Sequence, residues 1–240
     1  MSSLPVPPNV SAYRPRSKRQ LRIQQFIRGA AYRVWRRHLS KHARFKPFEP
    51  VGIFDVGCGP GYFLREAKRW FPAAKVTGLD YEIALLDWVN LPDATLVQGS
   101  AESLPFADNS FDVVSCLQVL EHLKDPDKAI SELKRVLKPG GFVCVATPNL
   151  ACWSAKVAGA SWHGYRDDHI ALRSARDWNQ ALEQGGLRVV EEGTTLFSGM
   201  PVLRVPPLIL ISWIPLFFFG HFPWPKGESD MAFCQKEPVI

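Results

Sequence analysis

The chain has 240 residues, 46% of them hydrophobic and 22% charged, a balance that excludes an extended disordered protein. Twelve of its 29 Lys and Arg residues, and none of its 23 acids, fall in residues 1–48, so a strongly basic lead-in precedes a net acidic remainder. Cys58, Cys116, Cys144, Cys152 and Cys234 show no Cys-x-x-Cys spacing, which argues against a zinc ribbon or redox pair and for buried, reduced thiols in a cytoplasmic setting.

Residues 1–15, with Pro5, Pro7, Pro8 and Pro15, read as a disordered lead-in. No apolar core comes after the basic residues there, so a secretory leader is not expected; an Arg-rich, acid-free stretch is also compatible with a mitochondrial presequence. From 17 to 40, Ile23, Phe26, Ile27, Ala30, Ala31, Val34, Trp35 and Leu39 recur at helical spacing, with Arg22, Arg28, Arg33, Arg36 and Arg37 covering most of the other faces. Pro47 and Pro50 separate this helix from the first expected strand, dividing the chain into a basic region, 1–48, and a domain, 49–240.

The domain alternates strand and helix, the pattern of a doubly wound α/β fold on a mostly parallel sheet. Strands are expected at 51–56, 74–79, 94–98, 111–117 and 141–147, a sixth at 187–190 and a seventh at 230–235. Helices are expected at about 61–70, 82–89, 126–137 and 174–185. Residues 111–117 are almost continuously apolar, as in a strand buried on both faces.

Within a hydrophobic insert at about 196–228, the stretch 205–225 carries no charge apart from His221. Its length would allow a membrane span of about 20 residues. Pro206, Pro207, Pro215, Pro223 and Pro225 interrupt helical hydrogen bonding, and one crossing would strand the seventh strand on the far side. A surface-embedded or re-entrant segment is the better reading, with a packed lid or dimer interface as the alternative.

The most informative stretch is Asp55-Val-Gly-Cys-Gly-Pro-Gly61, between the first expected strand and helix. A strand, a glycine-crowded turn and a helix are the parts of a nucleotide-cofactor site. Dinucleotide sites place pyrophosphate at the helix N-terminus, where an anion is favoured. Here Asp55 precedes the first glycine and the spacing is Gly-x-Gly-x-Gly, which disfavours phosphate and with it a nicotinamide dehydrogenase. Asp80, closing the second strand, is placed to accept ribose hydroxyls. The two carboxylates suit an adenosine cofactor with a cationic tail, a description that S-adenosylmethionine meets.

On these residues the chain resembles the class I S-adenosylmethionine-dependent methyltransferases, in particular the small-molecule branch that includes ubiquinone and menaquinone methyltransferases. The resemblance spans about 51–190. It rests on five ordered motifs: the glycine turn, Leu79-Asp80, Gln98-Gly-Ser-Ala-Glu-Ser-Leu-Pro-Phe106, Phe111-Asp-Val-Val-Ser-Cys-Leu-Gln-Val-Leu-Glu-His122 and Leu137-Lys-Pro-Gly-Gly-Phe142. It implies a seven-stranded sheet in the order 3-2-1-4-5-7-6 with the seventh strand antiparallel. It also implies that Asp55, Gly57 and Gly59 hold the methionine end, Asp80 the ribose, Ser100, Ala101 and Glu102 the adenine, and Leu117 and Gln118 the methionine moiety from the fourth strand, with Gly61 a further cofactor residue.

Methyl transfer needs alignment, and a base when the nucleophile is a hydroxyl. His122 and His169 are the candidate catalytic residues, each with a packing or capping role as its alternative. Some ubiquinone O-methyltransferases bind a divalent metal through Glu-x-x-Glu-His, but this chain has Gln118 for the first carboxylate, so no metal is expected. The Asn-Pro-Pro-Tyr type motif of base-amino methyltransferases is absent, and no DNA substrate is expected.

The expectation is therefore a methyltransferase acting on a small, hydrophobic or lipid-linked acceptor, peripheral on the inner face of a membrane through its basic helix and apolar insert. An RNA methyltransferase gripping through the basic helix, and a non-catalytic cofactor-binding protein, are the alternatives.

Overall fold

The computed structural model describes residues 14–43, 45–46, 48–162, 164–195 and 223–238. Most of the proline-rich lead-in and most of the apolar insert, 196–222, lie outside the described residues. Seven strands form one sheet: β1 (Gly52–Val56), β2 (Lys75–Asp80), β3 (Thr95–Gln98), β4 (Phe111–Leu117), β5 (Leu137–Pro148), β6 (Arg188–Thr194) and β7 (Ser229–Gln235). Their order is β3-β2-β1-β4-β5-β7-β6, as the resemblance implied. β1 to β5 pair in parallel, and β7 runs antiparallel to both β5 and β6.

The helices are α1 (Lys18–His38), α2 (Tyr62–Trp70), α3 (Ile83–Leu86), α4 (Pro126–Val136), α5 (Trp153–Ala158) and α6 (Ala175–Gln184). Each longer domain helix has a local cause. Asp125 caps α4 by accepting from the Lys128 amide, Pro126 fills its first turn, and Ala129, Ile130, Leu133 and Val136 make its buried stripe. Ser174 caps α6 in the same way, and Trp178, Ala181 and Leu182 are its buried face.

Alternation along the central strands sends neighbouring residues to opposite layers. Phe54, Val114, Val143 and Val145 pack toward α4 and α6, whereas Ile53, Val113 and Cys144 pack toward α1 and α2. The basic helix is part of this second layer: its Val34 and Trp35, with Leu39 of the adjoining π-helical turn (Leu39–Ala43), are buried against Phe63, Leu64, Ala67 and Phe233. All five cysteines are buried and free, as their spacing suggested.

The differences from expectation are local. α3 spans Ile83–Leu86, shorter than 82–89, because Glu82 caps it and Asp87 already closes it. α5 was not anticipated. β5 begins at Leu137, ahead of Pro139-Gly140-Gly141, and its register against β4 shifts across those residues. Gly140 takes φ 76° there, which a side chain would resist.

Candidate cofactor and acceptor site

The carboxyl ends of β1, β2 and β4 surround a cavity of about 650 Å³. Nine of the ten residues expected to hold the cofactor line it: Asp55, Gly57, Gly59, Asp80, Ser100, Ala101, Glu102, Leu117 and Gln118. The tenth, Gly61, does not. It is the left-handed N-cap of α2 at φ 78°, and a Cβ there would meet Val89 Cγ1 at 2.9 Å.

Internal bonds hold the glycine turn. The Gly57 and Cys58 amides donate to the Leu79 carbonyl at 2.7 and 2.9 Å, and the Gly61 amide to the Cys58 carbonyl at 2.9 Å. The Gly59 amide donates to Asp80 Oδ2 at 2.7 Å, and Pro60 has no N–H. Every amide of the turn is thus engaged, which leaves it none for a pyrophosphate. A Cβ on Gly59 would meet nothing within 4 Å, so this position opens into the cavity. A Cβ on Gly57 would meet Val119 Cγ2 at 2.3 Å.

Asp55 is buried in β1, where Ser115 Oγ donates to its Oδ1 at 2.7 Å. Burial pushes its carboxyl up to about 7, the Ser115 bond opposing and the nearby Asp80 charge adding. Asp80 is also raised by burial, against the Gly59 and Glu82 amides, the second donating to Oδ1 at 2.9 Å. Asp80 therefore secures the turn and does not cap α3. Glu102 accepts from the Asp125 amide at 2.8 Å, which ties the expected adenine loop to the start of α4. Gln118 is exposed at φ 60°, a conformation rare for a residue with a side chain and frequent at binding sites.

The described residues of this cavity fit S-adenosylmethionine: paired carboxylates for its cationic tail, an open Gly59, and a turn with no amide left for phosphate. Arg28 and Tyr32 also line the cavity, and both come from α1. Arg28 sits one helical turn before Tyr32 on the same face, whereas Lys18, Arg22, Arg33 and Arg36 are not among the lining residues. The Arg28 guanidinium lies 5.0 Å over the Tyr62 ring, and Tyr62 is bonded to Gln24 of the same helix. Sequence reasoning treated Arg28 as one of the surface arginines and missed this.

His122 lines the cavity, on a 3₁₀ turn after β4 (Leu120–His122). His169 is not a lining residue; it packs edge-on against His122 with ring centroids 4.7 Å apart. His122 Nδ1 lies 2.8 Å from the Asp168 carbonyl, and His169 Nδ1 lies 2.8 Å from the Gly164 carbonyl. A carbonyl only accepts, so each ring donates from Nδ1 and, when neutral, holds its lone pair on Nε2. Burial holds both rings below the usual histidine range, and the His122 charge adds to this for His169.

Beside them Glu121 is wholly buried, with neither carboxyl oxygen hydrogen-bonded to another residue, and burial pushes it up to about 8. Glu121, His122 and His169 bring one donor atom each within 4.8 Å. A second such group, His38, His42 and Glu191, has its carboxylate engaged by Lys41 and His42.

Residues 54–145 match the protein family described as Methyltransferase domain. Over this segment the chain is similar to methyltransferase domains. The chain is 40% identical over 111 residues to an uncharacterized methyltransferase of Schizosaccharomyces pombe, covering 41% of this chain and 40% of that one. It is 34% identical over 138 residues to a demethylmenaquinone methyltransferase of Staphylococcus aureus, covering 55% and 56%. The chain thus spans about half the length of the curated relatives it matches. The fold is similar to that of an S-adenosylmethionine-dependent methyltransferase from Mesorhizobium loti, with a TM-score of 0.60 at 19% identity over 87% of this chain and 99% of that one. Among the described residues, no helix is long and apolar enough to cross a membrane.

Proposed function

We propose that the protein methylates a small, hydrophobic acceptor presented at an anionic membrane surface. The observation that carries the transfer reaction is the turn itself: its amides are all engaged, Gly59 is open, and Asp55 and Asp80 face the space beside it. When bound, S-adenosylmethionine supplies a methyl group already activated by its sulfonium. Asp55 and Asp80 would hold its ammonium and ribose, Arg28 its carboxylate, and Ser100, Ala101 and Glu102 its adenine. Leu117 and Val119 would exclude water where the acceptor approaches, and His122 would take a proton from it.

Leu117, Val119, Leu123 and Ile170 give the lining near His122 an apolar part, beside the charged Lys124, Asp167 and Asp168, which supports a hydrophobic acceptor. One relative bears demethylmenaquinone in its name, in keeping with such an acceptor. The surface half of the reading rests on α1, where Lys18, Arg19, Arg22, Arg33, Arg36 and Arg37 are exposed beside Ile23 and Phe26, 51% and 73% exposed. Anionic lipid offers about 1 kcal/mol per basic residue near the surface.

Flotation with phosphatidylserine-containing and neutral vesicles tests the surface half; recovery of the full chain only in the soluble fraction sinks it. Labelled methyl transfer into a lipid extract tests the acceptor class. Salt-dependent RNA binding with transfer into RNA would favour the RNA alternative.

A further inference from the structure

The sheet edge that carries the cavity also carries an apolar surface. β5 runs parallel to β4, so it ends at Pro148 on that edge, and α5 follows directly. β7 pairs antiparallel with β5, Ser229 opposite Pro148, so the residues entering β7 lie there too. Backbone and side-chain bonds join the two pieces. The Trp153 amide donates to the Lys226 carbonyl at 2.9 Å, and Asn149 Nδ2 donates to the Pro225 and Gly227 carbonyls at 2.9 and 2.8 Å. Ala155 of α5 is buried with Cys152 and Trp162 in a small core of their own. Trp153 and Val157, one helical turn apart, face away from that core, and Trp224 stands two residues before Lys226. Tyr165 packs edge-on against Trp162 with ring centroids 5.2 Å apart, and Ile170 lines the cavity itself. Trp153, Val157, Tyr165, Ile170 and Trp224 are each between 36% and 65% exposed. Large apolar side chains exposed together mark a contact surface.

We propose that this surface, separate from the basic face of α1, enters the interfacial layer of an anionic bilayer and turns the cavity mouth at Ile170 toward the lipid. The inference rests on the reading of an acceptor presented at a membrane and deepens it by naming the face that docks. Charge complementarity favours anionic lipid: residues 149–161 and 223–227 contain two lysines, the exposed Lys156 and Lys226, and no acid. Tryptophan suits the interfacial layer, where an apolar ring with one polar N–H meets both lipid and water. The chain leaves the described fold at Thr195 and rejoins it at Pro223, and Thr195 exchanges backbone hydrogen bonds with Glu228 and Ser229 at this same edge. The sequence between them is uncharged from 205 to 222 apart from His221, so no fixed charge would have to be desolvated with the surface. Two weak contacts, α1 and this one, hold a protein on a bilayer where either alone would not. A hydrophobic acceptor then passes from lipid to Ile170 without crossing water.

The test uses the full chain carrying a nitroxide at Val157→Cys; the five native cysteines are buried, so the exposed new thiol takes the label. Asp93→Cys, on the exposed turn that enters β3 at the opposite edge of the sheet, is the reference. On vesicles of phosphatidylserine and phosphatidylcholine, the label at 157 should lose its accessibility to a water-soluble nickel chelate and gain accessibility to oxygen, while the label at 93 changes in neither. Trp153→Ala should lower partitioning onto the same vesicles by about tenfold, with cofactor affinity by calorimetry unchanged.

A chain that floats with position 157 still in water overturns the proposal and leaves the membrane contact to α1. A label at 157 that is shielded before vesicles are added overturns it as well: the surface is then covered by the chain itself or, where shielding grows with protein concentration, by a second copy. Failure of the wild type to float on any vesicle sinks the surface reading beneath the proposal along with it, whereas failure to bind cofactor sinks the methyltransferase reading.

Discussion

The Gly59 amide donates a 2.7 Å hydrogen bond to Asp80 Oδ2, so the turn after β1 and the acid ending β2 are one device. Asp80 shapes the wall of the cavity as well as lining it. Asp80→Ala should therefore weaken cofactor binding by about 1–3 kcal/mol through lost charge-assisted bonds. It should also lower the melting temperature, because the Gly59 and Glu82 amides both lose an acceptor. Calorimetry and thermal melts read the two effects separately.

The glycines of the turn divide the same way. Gly59 is open and Gly57 is packed against Val119, although both have positive φ, 51° and 69°. Gly59→Arg should abolish cofactor binding by filling the ligand's space, at a folding cost near the 1–2 kcal/mol of left-handed backbone strain. Gly57→Ala carries that strain plus a 2.3 Å overlap, and should lose more stability than Gly59→Ala. Unchanged cofactor affinity in Gly59→Arg would refute the site.

Much of this was legible because it is local. Asp55, the three glycines and Asp80 lie within 26 residues in a strand-turn-helix-strand unit whose handedness is nearly fixed. What the sequence concealed depends on contacts between distant segments. Arg28 looks like its neighbouring arginines until α1 docks on α2 and sets its guanidinium over the Tyr62 ring at the cavity. Glu121 reads as half of a Glu-His pair, and only the return of 164–171 over it, with the Ala171 amide on its carbonyl at 3.0 Å, makes it buried. Gly57, Gly59 and Gly61 look alike in the sequence, while their Cβ directions differ.

Asp55 predicts a pH dependence of cofactor affinity. Burial holds its carboxyl at about 7, so near neutrality much of it is protonated. A cationic ligand favours the ionised form, so binding must expel that proton and affinity should rise with pH. Below pH 7 the gain approaches a factor of about ten per unit. Calorimetry between pH 6 and 7.5, in buffers of different ionisation enthalpy, should show both the trend and the released proton. Asp55→Asn should bind weakly with a flat profile, and an equally sloped profile in that variant would remove the assignment.

Cofactor affinity should also depend on α1 through Arg28. Arg28→Ala removes a cation that lines the cavity and should weaken binding by about 1–3 kcal/mol. Arg33→Ala and Arg36→Ala, on the exposed face of the same helix, should leave it unchanged. Equal losses in all three would mean that the helix contributes only general charge.

Stability should decline as pH rises from about 4 to 8. Glu121 and Asp230 are each pushed up to about 8 by burial, against ordinary values of 4.5 and 3.8. In the unfolded chain both ionise near their ordinary values, while in the folded chain they keep their protons until about 8. Between those limits the folded state binds more protons, so each group's stabilisation is complete below its ordinary value and is lost as pH climbs to its folded one. The slope is at most about 1.4 kcal/mol per pH unit for each group. Glu191 acts oppositely: Lys41 and His42 hold it at about 2, so its stabilisation is present above its ordinary value and is lost only in strong acid. Asp230→Asn keeps the volume and removes one titration. Denaturant melts from pH 5 to 8 should show its midpoint falling less steeply than the wild type's, the two curves diverging toward high pH. Parallel curves would mean that Asp230 is ionised in the folded protein, with a partner for the oxygen, Oδ2, that no hydrogen bond reaches.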